Sequence, residues 1–250
     1  PQTGVVGNEE VRFGIEVGIA SLNIESQQQF KNISRIAKSM NAVAHGALRV
    51  NPDVADDRTH AKTTTGRKET KFGVDIERAR RFFQQHGHDK HCRVDAIHLH
   101  IGSPIYSPEP YVKAITRALE LIDELRQAGF EIKTIDIGGG YAADYETDMS
   151  PSYQSYADAI VPLLKDKQLH VILEPGRTIA ANAGVLLCKT LYTKQGGSKR
   201  FIIVDTGMHH LLRPSMYDAF HFIWPTRVDE QHQPTRRAAE LDLPGLETVD

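Results

Sequence analysis

Between Gly4 and Arg177 the chain switches repeatedly between two hydrophobic periods. Apolar residues three and four apart mark helices, and short apolar or alternating runs mark strands. Helices are expected over 9–16, 27–40, 75–85, 110–127 and 153–164. Strands are expected over 20–24, 42–50, 96–101, 134–137 and 170–173, with a polar loop over 51–70. The clearest helix is 110–127, where Val112, Ile115, Leu119, Ile122 and Leu125 share a face and Gly129 is placed to stop it. Helix and strand alternating in this way predict βα units on a parallel sheet, and the regular spacing resembles a (β/α) barrel.

Beyond Arg177 the texture changes. Strands are expected over 185–192, 200–204 and 219–228, joined by turn-rich stretches such as Gln195-Gly196-Gly197-Ser198, and helix signals are scarce. A domain boundary is therefore expected within 180–184, dividing a barrel unit, 1–182, from a β-rich unit, 183–250. That second unit is small for a β core of its own.

Composition narrows the class of function. The chain of 250 residues is 40% hydrophobic and 25% charged with a formal net charge of -2, an ordinary globular profile. Without concentrated Lys and Arg, neither nucleic acid nor an acidic membrane surface is expected as partner. There is no apolar run of membrane-spanning length and no signal-peptide pattern at Pro1-Gln2-Thr3-Gly4. Cys92 and Cys188 are the only cysteines and lie far apart, which fits a reducing, cytoplasmic setting.

Candidate chemistry gathers where strands are expected to end. Ile135-Asp136-Ile137 runs into Gly138-Gly139-Gly140, a triplet open to two readings: backbone amides closing around an anion, or an ordinary strand-to-helix turn. One strand ends in Arg49-Val50-Asn51-Pro52. Another ends in His98-Leu99-His100-Ile101-Gly102-Ser103, whose alternation puts both histidines opposite the aliphatic face and into the barrel. A third ends in Glu174-Pro175-Gly176-Arg177. Each has a plainer reading, as a core histidine, a Glu–Arg pair or a helix cap. Together they suit a phosphate-bearing aromatic cofactor: amides, Ser103 and Arg177 for phosphate, His100 against a ring, and Glu174 opposite a protonated ring nitrogen.

These motifs occur in order with Thr65-Gly66, Lys71-Phe72-Gly73, Asp205-Thr206-Gly207-Met208, Arg213-Pro214 and Tyr217-Asp218-Ala219. The series resembles the diaminopimelate decarboxylase family and, more distantly, the ornithine and arginine decarboxylases of the same pyridoxal-phosphate fold. The resemblance implies an alanine racemase-like (β/α)8 TIM-type barrel, partial here, followed by part of a β-rich C-terminal domain. It implies pyridoxal 5'-phosphate as cofactor, with His100 and Glu174 as catalytic residues. His100, Ser103, Gly138, Gly139, Gly140, Glu174, Gly176 and Arg177 would bind the cofactor. Arg177, Arg213 and Tyr217 would bind an amino-acid substrate. The implied reaction converts meso-diaminopimelate to L-lysine and CO₂ in a homodimer with a shared active site. Alternatives are a decarboxylase of another basic amino acid or carboxylated polyamine, and an inactive homologue that binds a decarboxylase subunit.

Two departures from the family pattern stand out. The lysine that attaches the cofactor lies in relatives in a Tyr-Ala-x-Lys motif after the first barrel strand; no such motif occurs here, and Lys62, Lys68, Lys71 and Lys199 fall in loops or near turns. A Cys-Glu pair contributed across the dimer interface is also missing. The chain is therefore expected to be a fragment or truncated relative, entering near the end of the third strand at Thr3-Gly4-Val5, and unable to hold the cofactor covalently. His86, His88 and His91 form a His-rich stretch without carboxylates at ligand spacing, so no metal site is expected. The polar run 229–237 is expected to be a solvated loop, and the glycine triplet lacks the spacing of a dinucleotide-binding turn.

Overall fold

The computed structural model describes residues 7–55, 71–145 and 149–227. Readings placed on Thr3-Gly4-Val5, Lys62, Thr65-Gly66, Lys68 and 228–250 lie outside the described residues. The chain divides into two compact units, Pro1–Ala142 with Pro151–Thr178, and Ala143–Ser150 with Ile179–Asp250.

The first unit is built from βα repeats. Its elements run α1 (Asn8–Glu16), β1 (Leu22–Ile24), α2 (Gln27–Ser39), β2 (Ala44–Asn51), β3 (Val74–Asp75), α3 (Ile76–His86), β4 (Cys92–His98), α4 (Glu109–Gln127), β5 (Thr134–Asp136), α5 (Tyr153–Leu164), β6 (His170–Ile172) and α6 (Gly176–Ala180). Helices α2 and α3 begin where side chains satisfy free backbone donors. Ser26 accepts from the Gln29 N–H at 3.1 Å and Asp75 from the Arg78 N–H at 2.9 Å, opening α2 and α3. Each then buries a periodic stripe: Phe30, Ile33, Ile36 and Ala37 in α2, and Ala79, Phe82 and Phe83 in α3. In α4 the expected stripe is buried apart from half-buried Val112, and the helix stops before Gly129 at φ 89°.

All pairings in this unit are parallel, in the order β1-β2-β4-β5-β6 with short β3 on β2. Strands laid down in chain order, with no reversal, make an arc of a (β/α) barrel rather than a doubly wound sheet. The core lies between this arc and its helices, with Leu48, Ile97 and Ile135 from the strands against Ile33, Phe83, Ile115 and Ile122 from the helices. No helix among the described residues is long and apolar enough to cross a membrane.

Three local expectations differ from what is observed. β4 begins at Cys92 and ends at His98, so His100 stands beyond the strand instead of within it. Short β3 and α6 had no periodic signal, being two and five residues long. In the second unit β7 (Thr190–Gly196) and β8 (Lys199–Val204) form an antiparallel hairpin, followed by α7 (Arg213–Tyr217), while the expected strand over 219–228 is absent from its described part, 219–227. None of this unit's described residues from 179 to 227 is buried. A two-stranded hairpin has too little area to enclose a core, so Val185, Leu187 and Tyr192 remain exposed.

Candidate active site

Parallel register assembles the site. Arg49 on β2 is aligned with His98 on β4, and His98 with Asp136 on β5. Register neighbours in a sheet point to the same side, so an arginine, a histidine and an aspartate form one row. All three are buried, at 4%, 0% and 1% exposure. Two residues further along each strand come Asn51, His100, Gly138 and, after β6, Glu174. The pleat repeats every two residues, which puts these groups one layer nearer the strand ends, where barrel chemistry is built.

The polar row is incompletely paired. Arg49 reaches Glu25 at 2.8 Å through Nη1, while its Nε has no partner among the described residues. Among the described residues, neither His98 ring nitrogen has a hydrogen-bond partner, nor does Asp136 Oδ2, nor either polar atom of the Asn23 side chain. Unpaired polar atoms at this depth cost stability unless something else meets them, so the row is a place prepared for a polar group or water.

His98, Asp136 and Glu174 bring ligand-type atoms within 4.8 Å of one another. His98 Nε2 lies 3.6 Å from Glu174 Oε2, too long for a full hydrogen bond but close enough to act on its charge. Contact with His98 holds the Glu174 carboxyl below its usual range against the opposing effect of burial. Burial pushes Asp136 up to about 6, against His98 and the Gly138 N–H, which favour its anion. Two close carboxylates thus ionise unequally: as pH falls, the deeper one takes a proton before the outer one does. His100 is pushed down to about 4, first by burial and then by Arg49 and His98, so its ring is a neutral flat surface at neutral pH.

The glycine triplet is a junction as well as a cradle. A Cβ on Gly138 would collide with the Leu99 carbonyl oxygen and stand 3.1 Å from His100 Nδ1. One on Gly139 would strike the Glu174 carbonyl oxygen, and one on Gly140 that of Gly102. The three carbonyls of the triplet are all engaged: Gly138 by the Glu174 N–H at 3.0 Å, Gly139 by the Tyr111 hydroxyl at 2.9 Å, and Gly140 by the Ile105 N–H at 2.8 Å. Tyr111 is itself stacked on Tyr141 and edge-on to Tyr156. The Gly138 N–H donates to Asp136 Oδ1 at 2.9 Å and the Gly176 N–H to the Glu174 carbonyl at 2.8 Å. Gly139 and Gly140 keep N–H groups without a partner among the described residues, which is the property an anion cradle needs.

The Arg177 Nε donates to Ser103 Oγ at 2.9 Å, joining a guanidinium and a hydroxyl beside the same loops. The first unit therefore brings together His100, Ser103, Gly138, Gly139, Gly140, Glu174, Gly176 and Arg177. Arg213 and Tyr217 belong to the second unit, where the guanidinium lies 5.1 Å from the tyrosine ring centroid. Asp136 was missed as a site residue, although a carboxylate between Ile135 and Ile137 in a buried strand is a signal that could have found it. A phosphorylated pyridine fits these residues: two free amides with a hydroxyl and a guanidinium for phosphate, a neutral imidazole, and an ionised carboxylate for a pyridinium.

The family model for the pyridoxal-dependent decarboxylase, pyridoxal binding domain, matches residues 3–181. The chain is 40% identical over 243 residues to the diaminopimelate decarboxylase of Aquifex aeolicus, covering 97% of this chain and 57% of that protein. It is 37% identical to the enzyme of the same name from Haemophilus influenzae, with 97% and 58% covered. It thus spans little more than half the length of these curated relatives. The crystal structure of Helicobacter pylori diaminopimelate decarboxylase complexed with L-lysine superposes with a TM-score of 0.82 at 35% identity, covering 90% of this chain and 56% of that one. The Vibrio vulnificus lysine/ornithine decarboxylase, at 19% identity and a TM-score of 0.69, shares the fold.

Proposed function

The chain belongs to the pyridoxal-dependent decarboxylases, and from that membership we propose that it forms the cofactor-binding part of an enzyme that converts meso-diaminopimelate to L-lysine and CO₂. The substrate assignment is supported by the shared diaminopimelate decarboxylase identity of the two relatives above and by the L-lysine held in the Helicobacter pylori structure.

In this reading the Gly139 and Gly140 amides, Ser103 and Arg177 bind the phosphate of pyridoxal 5'-phosphate, while Gly138 and Gly176 contribute by shape, their own N–H groups being engaged. His100 lies against the ring. Glu174, ionised, faces the ring nitrogen and keeps it protonated. The chemistry the bound group supplies is an electron sink for the electron pair left behind as CO₂ departs. Arg177 in the first unit is read as a partner of a substrate carboxylate, and Arg213 and Tyr217 in the second unit are each read as substrate-binding residues; the distal carboxylate and ammonium of diaminopimelate call for such charged partners. The reading extends to a homodimer with a shared active site and to a cytoplasmic setting, in keeping with unpaired Cys92 and Cys188.

The observation that carries the proposal is the meeting of Glu174, His100 and the glycine loop: Gly138 abuts His100 and Gly139 rests on the Glu174 carbonyl. Binding of pyridoxal phosphate, followed by ³¹P NMR and by fluorescence, tests it. Glu174→Gln is expected to weaken binding about tenfold, the scale of one charge-assisted contact. Equal binding by the parent and Glu174→Gln would remove the assignment. On the chain, and on any longer product of its gene, CO₂ release from meso-diaminopimelate measured beside ornithine and arginine separates the substrate alternatives.

A further inference from the structure

Asp136 stands at a crossing that the functional reading leaves unused. Its Oδ1 accepts the Gly138 N–H at 2.9 Å, and the carbonyl of the same glycine accepts the Glu174 N–H at 3.0 Å. A single residue, Gly138, thus couples the Asp136 side chain to the Glu174 backbone. The other oxygen, Oδ2, is buried without a hydrogen-bond partner among the described residues, in the cluster that holds His98 and the Glu174 carboxylate within 4.8 Å. Two carboxylates this close lose their protons in unequal steps, because ionising the second beside the first is the harder step. The more deeply buried carboxyl, Asp136 at 1% exposure, is the one that takes a proton first as pH falls.

We propose that Asp136 is a positioning residue: its Oδ1 ties Glu174 through Gly138 to the anion cradle, and within the His98–Asp136–Glu174 cluster it is the carboxyl that takes a proton first, which leaves Glu174 the oriented anion. The proposal rests on the reading of Glu174 as partner of the ring nitrogen. The cradle and the ring-nitrogen site then form one mechanical unit, in which Oδ1 sets the loop and Oδ2 is left for the cluster. The groups that face Asp136 are His98 from β4, Glu174 from the segment after β6, and Tyr141 beyond the glycine loop. Tyr141 is itself pushed up, chiefly by burial, and stays neutral. Burial likewise favours the protonated form of Asp136, and contact with His98 the ionised form of Glu174.

The test has one arm that needs no cofactor. In the chain alone, carboxyl ¹³C shifts of Asp136 and Glu174 followed from about pH 4 to pH 8 read which group holds the proton. Asp136 is expected to titrate near 6 and Glu174 below the usual glutamate range. The reverse assignment overturns the proposal. In the second arm, Asp136→Asn keeps the acceptor for Gly138 and replaces the titrating oxygen with an uncharged NH₂. It is expected to bind pyridoxal phosphate within about threefold of the parent and to preserve the ¹⁵N shift of a protonated pyridine ring, whereas Asp136→Ala weakens binding about tenfold or more and loses that shift. An Asn variant as weak as the Ala variant overturns the proposal. A parent chain that binds no pyridoxal phosphate would sink the functional reading alone, because the carboxyl titration still decides the role of Asp136. Neither the titration nor the Asn variant depends on Asp136→Ala folding.

Discussion

Replacing Gly139 by alanine tests whether the glycine triplet is a structural junction. The added methyl would meet the Glu174 carbonyl oxygen below any normal contact distance, with the carbonyl carbon 3.1 Å away. Both are backbone atoms, so no flexible side-chain tip can move aside. The Gly138 carbonyl, which accepts from the Glu174 N–H, resists separation of the two loops, and Tyr111 holds the Gly139 carbonyl from the other side. Overpacking of this kind costs about 1–3 kcal/mol, and relief by displacing Glu174 should also weaken pyridoxal phosphate binding about tenfold. Gly176→Ala is the control: a Cβ there meets nothing within 4 Å, and the expected change in stability stays within about 0.5 kcal/mol. Urea unfolding followed by far-UV circular dichroism reports the helices of the first unit; fluorescence of the single tryptophan, Trp224, would report the second. An unchanged urea midpoint and unchanged ligand affinity in Gly139→Ala would refute the junction.

Three further outcomes are expected. His100, whose folded pKa of about 4 lies below the unfolded 6.5, contributes stability that is complete above about pH 6.5 and is lost as pH falls toward 4. The gap of about 2.5 units at 1.36 kcal/mol each gives roughly 3 kcal/mol, so the stability difference between parent and His100→Asn should shrink by up to that amount across this window in urea titrations. Raised Asp136 acts in the opposite sense between 3.8 and about 6, which is why the parent–variant difference is the quantity to measure. Tyr111→Phe keeps the ring stack on Tyr141 but leaves the Gly139 carbonyl without its donor; a loss of about 1–2 kcal/mol is expected by denaturant unfolding, and less than about 0.3 would show the bond to be idle. Since no lysine among the described residues is buried, pyridoxal phosphate with borohydride should leave no stable adduct at the site, as read by peptide mass spectrometry.

Local periodicity carried much of the architecture, because a helix or strand with one buried face must repeat that face in its sequence. The stripe of α4, the caps at Ser26 and Asp75 and the alternation of elements are all properties of neighbouring residues. Elements too short for a period, β3, α6 and α7, left no comparable mark, and the apolar run beyond Ala219 reads as a strand with no partner strand among the described residues to pair with. The boundaries of β4 followed its pairing with β2 and β5 rather than its own residues.

Which chemical groups stand at the strand ends was legible in the residues alone: His98 and His100, three glycines, and Glu174 with Arg177. Only the tertiary structure decided how they divide the work. Register between strands far apart in the chain set Arg49, His98 and Asp136 in one row, made Asp136 rather than Glu174 the buried acid, and left two of the glycine amides without a partner among the described residues while engaging the third. Ionisation and hydrogen-bond partnership depend on distance and on exclusion of water, and neither exists until separate segments of the chain are packed together.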